Sequence, residues 1–234
     1  MKQVASAELE PAVLDQLKRY DTCTIANAIE RFQVRLRNEG YTSHGLKCIT
    51  SDFPTVVGYA VTSHVRTANP PMSGGRYFEG TEWWSDIEAR PAPRIAVIED
   101  VDSNPGAGSV AGEVHCAILQ RFGYTALATN GAVRDLLGVR RLGFSVFARS
   151  LTVGHSYVHS FDFGAPVNIF GLTVRSGDLL CGDCHGLLSI PKEIAARIPE
   201  VAEKLRQHER KVIDLCQSPD FSVEKLRRLV QANE

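Results

Sequence analysis

Between residues 8 and 20 the apolar positions Leu9, Val13, Leu14 and Leu17 recur at helical spacing, so a first helix with one core-facing side is expected there. Asp21-Thr22 breaks that pattern, and Thr22 or Thr24 is suited to cap a second helix running to about Phe32. After a polar, glycine-containing connection, residues 56–65 are rich in Val and Thr and read as a strand. From Arg94 the texture becomes regular. An apolar strand over 94–98 leads into a loop with Gly106, Gly108 and Gly112, then a helix over 113–122 and a strand over 125–129. An Asn130-Gly131 turn, a short helix around 134–141 and a strand over 144–148 complete the series. Strands alternating with helices at this spacing predict an α/β core with parallel pairing.

The last third changes character. Residues 167–169, 172–174, 178–181 and 187–190 read as short strands separated by glycine turns, a β-rich layer with hairpins. Pro191 and Pro199 are each placed to start a helix. In the second of these, Val201, Leu205, Val212 and Leu215 form an apolar stripe. Residues 68–93 stand apart: turn-rich, then aromatic, with both tryptophans, Trp83 and Trp84. They read as an insertion, either packing its own aromatics under a loop or walling a pocket. Without a repeat or a linker, the expectation is one domain over 1–234, with that insertion and with C-terminal helices from 191.

Composition narrows the function classes. With a formal charge of -1 over 234 residues and no basic stripe, neither a nucleic-acid surface nor a membrane surface is indicated. The start of the chain is not a signal peptide, and no apolar run approaches membrane-spanning length, so a cytoplasmic, reducing setting is expected. The six cysteines then read as free thiols. Cys181-Gly182-Asp183-Cys184-His185 matches the C-x-x-C-H haem-attachment pattern, but that attachment normally follows export. A haem, zinc or redox use of the pair is therefore disfavoured against a tight turn flanked by small residues, with His185 structural.

Asn130-Gly131-Ala132-Val133-Arg134-Asp135 is the densest candidate for chemistry. It follows an apolar strand and opens a helix, and ligands of α/β sheets gather at the carboxyl ends of strands. Arg134 offers a planar fork for a carboxylate, and Asp135 a hard oxygen for a divalent cation. A surface charge pair at a helix start would leave the same signature. The second candidate is the loop from Pro105 to His115. Gly112 there lets backbone approach a ligand, and the amides of Val114 and His115 open a helix where anions bind. Glu113 adds a carboxylate, or is only a first-turn residue facing the helix dipole. His155 and His159 have i, i+4 spacing, but they precede strand-like sequence, so a structural or substrate-lining role is preferred to a metal.

Taken together, Gly112-Glu113, the NGAVRD run and Phe144-x-Val146-Phe147-Ala148 resemble the central signature of the 4-hydroxy-4-methyl-2-oxoglutarate aldolase/RraA-like family. Asp21-Thr22-x-x-Ile25-Ala26-Asn27-Ala28 resembles its N-terminal helix. The stretch from Pro166 through Gly171, Gly177-Asp178 and Gly182-Asp183 to Gly186 resembles its late β-rich segment. The resemblance implies a layered α/β/β/α-type sandwich with a mixed sheet and added N- and C-terminal helices, assembled as a homotrimer or homohexamer. It further implies a Mg²⁺ or Mn²⁺ ion held directly by Asp135, with Glu113 and, more loosely, Glu209 of a neighbouring subunit reaching it through water. Arg134, Gly112 and the Val114 and His115 amides would bind a small 2-oxo acid. The implied reaction is retro-aldol cleavage of a 4-hydroxy-2-oxo acid through a pyruvate enolate, with oxaloacetate decarboxylation passing through the same enolate. No Schiff-base lysine is needed, and Lys192 and Lys204 are assigned to helical surface. The 68–93 segment and the C-terminal helices bring the chain closer to aldolase-like members than to the short regulatory ones. The alternatives are a non-catalytic binding protein regulating a ribonuclease, or a lyase for another 2-oxo or sugar acid. Quinone methylation is disfavoured, because no glycine-rich cofactor motif follows the first strand.

Overall fold

The computed structural model describes residues 8–71 and 91–231. Of the expected insertion, residues 72–90, with Trp83 and Trp84, lie outside the described residues. Helices α1 (Pro11–Leu17) and α2 (Thr22–Glu30) open the chain and are followed by strands β1 (Lys47–Cys48), β2 (Val56–Arg66) and β3 (Arg94–Asp100). Next come β4 (Ser109–Ala111), α3 (Glu113–Arg121), β5 (Tyr124–Thr129), β6 (Ala132–Val133) and α4 (Leu136–Leu142). Strands β7 (Ser145–Ala148), β8 (Ser150–Leu151), β9 (His159–Phe161), β10 (Val167–Ile169), β11 (Leu172–Val174), β12 (Leu179–Asp183) and β13 (Gly186–Ile190) then run to the closing helices. These are α5 (Ile198–Gln217) and α6 (Val223–Gln231), with a 3₁₀ turn at Ala195–Arg197 before them.

The main sheet has eight strands in the order β1-β7-β5-β3-β2-β12-β13, with β9 also pairing β2. Its centre, β2-β3-β5-β7, is parallel, and its flanks are antiparallel. The expected mixed α/β sheet is therefore present, curled until its two edges nearly meet. The segment from Gly40 to Cys48 spans the gap: Thr42 N–H donates to Leu187 O on β13 at 2.9 Å, and Lys47 and Cys48 pair with Ala148 and Phe147 on β7.

Strand alternation divides the core. Ala60, Ile95, Val97, Ala126, Ala128, Phe147 and Leu180 face the inside of the curl, where the β10-β11 hairpin joins them. Their neighbours in sequence face outward, because successive strand side chains point to opposite faces. Val57, Tyr59, Leu179, Cys181, Leu188 and Ile190 meet α1, α2 and α5. Ala96, Ile98, Leu127, Val146 and Ala148 meet α3 and α4. Phe147 alone, 1% exposed, contributes roughly 1.5–3 kcal/mol by its burial.

Local differences from the sequence expectations have physical causes. Asp21, not Thr22 or Thr24, caps α2: its Oδ1 accepts from Thr24 N–H at 2.6 Å. The Thr22 hydroxyl is engaged elsewhere, donating to Asp183. Pro191 opens turns that lead into the 3₁₀ segment rather than an α-helix, whereas Pro199 does sit in the first turn of α5. The helix expected from Arg134 starts at Leu136, because Ala132–Val133 pairs as a strand first.

Candidate functional site

Where β3, β5 and β7 end, the chain continues into β4, β6 and β8, which form a second, parallel three-stranded sheet in the order β4-β6-β8. The ends are tied by side chains. Asn130 Oδ1 accepts from Asp100 N–H at 2.7 Å, and Asn130 Nδ2 donates to Asp100 O at 2.9 Å. The Asp100 carboxylate, 1% exposed overall, accepts from Thr67 Oγ1–H and from the Gly106 and Asp102 amides. Burial alone would raise the Asp102 carboxyl, but the Thr67 and Ala68 amides and Arg66 hold it below its ordinary value.

On this frame Arg134 N–H donates to Ala111 O at 3.0 Å, bringing the NGAVRD run against the start of α3. Asp135 then adopts a left-handed conformation, φ 56° and ψ 36°. For a non-glycine residue that costs about 1–2 kcal/mol, with Asp among the side chains that tolerate it best. The turn aims its carboxylate back toward Gly112. Asp135 Oδ2 accepts from Glu113 N–H at 3.3 Å and lies 3.4 Å from Arg134 Nε. Gly112 is the enabling residue: a Cβ there would stand 2.4 Å from Asp135 Oδ2.

Arg134 Nη1 donates to Val153 O at 3.4 Å, while its buried Nε has no hydrogen-bond partner. That nitrogen is held by its ion pair with Asp135 alone, and an acceptor at shorter range would complete its hydrogen bonding. Glu113 turns its carboxylate toward α4, pairing with Arg141 Nη2 at 3.4 Å. It reaches this position over Gly138, where a Cβ would fall 2.2 Å from the Glu113 carboxyl. Val114 is exposed, and Gly112 provides no side-chain cap, so the first-turn amides of α3 open toward the same space. His115 is half-buried, and burial pulls its pKa down, offset in part by Val110 O at 3.4 Å from Nδ1. An apolar groove lined by Val114, Ala117, Ile118, Phe122 and Leu142 runs alongside Glu113.

The sequence profile of the RraA-like family, described as Aldolase/RraA, matches residues 22–188. The chain belongs to the RraA-like family. Among its relatives, a protein named "Putative 4-hydroxy-4-methyl-2-oxoglutarate aldolase" from Halalkalibacterium halodurans is 28% identical over 97 residues, 41% of this chain and 46% of that protein. Protein DlpA of Legionella pneumophila is 30% identical over 215 residues, 87% of this chain but 31% of its own length. The chain thus spans less than half the length of these curated relatives. The crystal structure of RraAS2 from Streptomyces coelicolor, described as an unusual member of the RNase ES inhibitor RraA protein family, superposes with a TM-score of 0.68. It is 19% identical, covering 88% of this chain and 97% of that one, which bears on the fold alone.

Within this RraA-like chain, Gly112, Glu113, Arg134 and Asp135 come together, with Val114 and His115 on the adjoining turn of α3. Glu209, expected to approach from a neighbouring subunit, lies apart from them within one chain, exposed on α5, which packs on α1 and α2. His159 lies on β9 with Nδ1 2.8 Å from Tyr157 O, so the i, i+4 helical pairing with His155 does not arise. Lys204 is on the α5 surface with Glu200, and Lys192 lies over the Tyr59 ring. Sequence reasoning missed Gly138 and Arg141. A glycine inside an apolar helix was the available signal, since it costs about 1 kcal/mol there unless something packs close. Among the described residues, no helix is long and apolar enough to cross a membrane.

Proposed function

We propose that this chain is a divalent-metal-dependent lyase that cleaves 4-hydroxy-2-oxo acids, and that oxaloacetate is decarboxylated at the same site. One observation carries the reading: the buried Nε of Arg134 makes no hydrogen bond and is ion-paired at 3.4 Å with a carboxylate held in a strained turn at the carboxyl ends of the strands. An anion-binding fork and a hard oxygen ligand at that spacing suit a small chelating acid and its cation.

The donor set fits Mg²⁺ or Mn²⁺, because such ions take few protein carboxylates and keep water on their remaining positions. Asp135 would hold the ion directly, in the space that Gly112 leaves for Oδ2. Bound there, the ion supplies Lewis-acid stabilisation of negative charge developing on the substrate's 2-oxo oxygen. Arg134 receives the C1 carboxylate and shares the 2-oxo oxygen, giving its Nε a hydrogen bond. The Val114 and His115 amides face the other carboxylate oxygen. When the C3–C4 bond breaks, its electron pair becomes the C2–C3 enolate, and Arg134 offsets part of that charge without reorganising. The proton of the 4-hydroxyl passes to the Glu113 carboxylate by way of solvent, and C3 is then protonated to give pyruvate. In oxaloacetate the same bond releases CO₂.

The test is pyruvate release from 4-hydroxy-4-methyl-2-oxoglutarate and from oxaloacetate, with Mg²⁺ or Mn²⁺ and then with EDTA. Metal-dependent pyruvate, abolished in Arg134→Ala and Asp135→Ala, is the expected outcome. Folded, metal-loaded protein that releases no pyruvate from either would overturn the lyase reading, in favour of another acid substrate or of a binding role such as the ribonuclease regulation named for RraA.

A further inference from the structure

A second cluster lies away from that site, where the β12-β13 turn meets the start of α2. The C-x-x-C spacing suggests Cys181 and Cys184 as partners, but the strand separates them: Cys181 is fully buried in the core, whereas Cys184 is exposed. Cys184 instead faces its neighbours. Its Sγ lies 3.5 Å from His185 Nδ1 and 4.0 Å from Nε2, and the ligand atoms of Asp183, Cys184 and His185 all fall within 4.8 Å of one another. A tetrahedral zinc ion, with Zn–S about 2.3 Å and Zn–N about 2.0–2.1 Å, holds sulfur and nitrogen roughly 3.5 Å apart. The Sγ–Nε2 distance of 4.0 Å is about 0.5 Å beyond that value, within reach of a rotation of these two exposed turn side chains.

Asp183 is prepared for a supporting role. It is 6% exposed, and its oxygens accept from Thr22 N–H at 2.7 Å, Thr22 Oγ1–H at 2.8 Å and His185 N–H at 2.9 Å. Its Oδ1 also lies 3.0 Å from His185 Nδ1. A carboxylate at that nitrogen selects the Nδ1–H tautomer and leaves the Nε2 lone pair facing outward, the arrangement that orients metal-ligating histidines. The two Thr22 bonds fix the first turn of α2 against this strand end, and the next residue is Cys23, also exposed. Cys23 and His185 line one cleft of about 310 Å³, together with Thr22, Arg35 and Tyr41.

We propose that Cys184 Sγ and His185 Nε2 bind a soft divalent ion of the zinc class, with Cys23 Sγ as a third ligand, water as the fourth and Asp183 as the carboxylate behind the imidazole. Each thiol gives its proton to solvent as its metal–sulfur bond forms, so affinity rises with pH. Oxygen-seeking Mg²⁺ does not compete for a site of this composition.

Titration of the whole protein with Co²⁺ in excess Mg²⁺, followed by the sulfur-to-cobalt charge-transfer absorption, tests the proposal. Only a thiolate ligand produces that band, so cobalt at Asp135 does not contribute to it. The expected result is one band-forming site per chain, displaced by Zn²⁺ and retained in Asp135→Ala. Cys184→Ser abolishes it, and His185→Ala and Cys23→Ser each weaken Co²⁺ binding by at least about 10-fold. Cys184 and His185 are exposed turn side chains, and unchanged circular dichroism confirms that their variants fold. Absence of the band from the wild type, or its survival in Cys184→Ser, would overturn the proposal.

Discussion

Gly112→Ala separates the candidate site from the fold more sharply than removal of a charged side chain. The backbone at Gly112 has φ -137° and ψ -167°, extended geometry that alanine adopts freely. The added Cβ, however, would lie 2.4 Å from Asp135 Oδ2, about 1 Å short of ordinary contact at 3.4 Å, and 3.2 Å from Arg134 Cγ. Asp135 is pinned by its left-handed backbone, so its half-exposed carboxylate must swing outward, giving up the Glu113 amide. That lost bond costs about 0.5–1.5 kcal/mol, while replacing glycine returns about 0.4–1 kcal/mol through the unfolded chain. Stability should therefore change by less than about 1 kcal/mol, a shift of roughly 2–4 °C in Tm at this size. Turnover is far more sensitive. A ligand displaced by about 1 Å costs on the order of 100-fold in rate, or about 2.7 kcal/mol. Measuring kcat/KM for pyruvate release beside Tm separates the two. A variant that keeps near-native turnover would refute the placement of Asp135 at the reacting centre, and loss of both folding and activity would refute the claim that the clash is local.

The same logic gives companion predictions. Gly138→Ala drives a Cβ to 2.2 Å from the Glu113 carboxyl, so it should lower kcat by roughly 10–100-fold with KM little changed, and an unaltered kcat would remove Glu113 from proton transfer. Arg134→Lys keeps the charge but loses the planar fork, and should cost about 10–100-fold in kcat/KM, against more for Arg134→Ala; equal losses would mean that only charge matters there. Asp183 and Asp102 have carboxyls held below their ordinary values, so their stabilisation is complete above the unfolded pKa of about 4 and is lost as pH falls through the lower folded values. Urea unfolding below about pH 5 should thus show a steep acid loss that flattens in the Asp102→Asn/Asp183→Asn double variant, and an unchanged slope would contradict the assignment. In the metal-free protein, alkylation should reach Cys23, Cys184 and Cys216 first and spare Cys116, whose thiol burial pushes up to about 12; early Cys116 modification would show that α3 opens readily.

Much of the fold was legible because its helices are amphipathic and its central strands apolar. The strands at 56–65, 94–98 and 125–129 show as Val/Thr-rich or apolar runs because both their faces are covered: Ala60, Ile95, Val97 and Ala126 face inward, and Val65, Ala96, Ile98 and Leu127 face the helices. The short parallel sheet was not legible. Strands of two or three residues such as Ala132–Val133 and Ser150–Leu151 carry no period, and their pairing depends on where β3, β5 and β7 end. The α2 cap went to the wrong residue for a related reason. Thr22 has the right chemistry, but its hydroxyl is claimed by Asp183, 161 positions away, and a local pattern contains no such partner.

The candidate site divides along the same line. Arg134, Asp135, Gly112 and Glu113 are exposed by residue type, since a charged pair after an apolar strand and a glycine before a helix each ask for a physical reason. What sequence could not supply is the answer to each question. Gly112 is small because Asp135 Oδ2 occupies the place of its side chain, and Gly138 is small because Glu113 crosses it. Two carboxylates are therefore positioned by two absent methyl groups, on different elements, with Arg134 Nε ion-paired to Asp135 but without a hydrogen bond. Were Glu113 not crossing it, alanine at Gly138 would gain about 1 kcal/mol of helix propensity, and a closer acceptor would give that nitrogen its hydrogen bond. Both costs fall in residues that the proposed site uses, as expected where local rules yield to an external ligand.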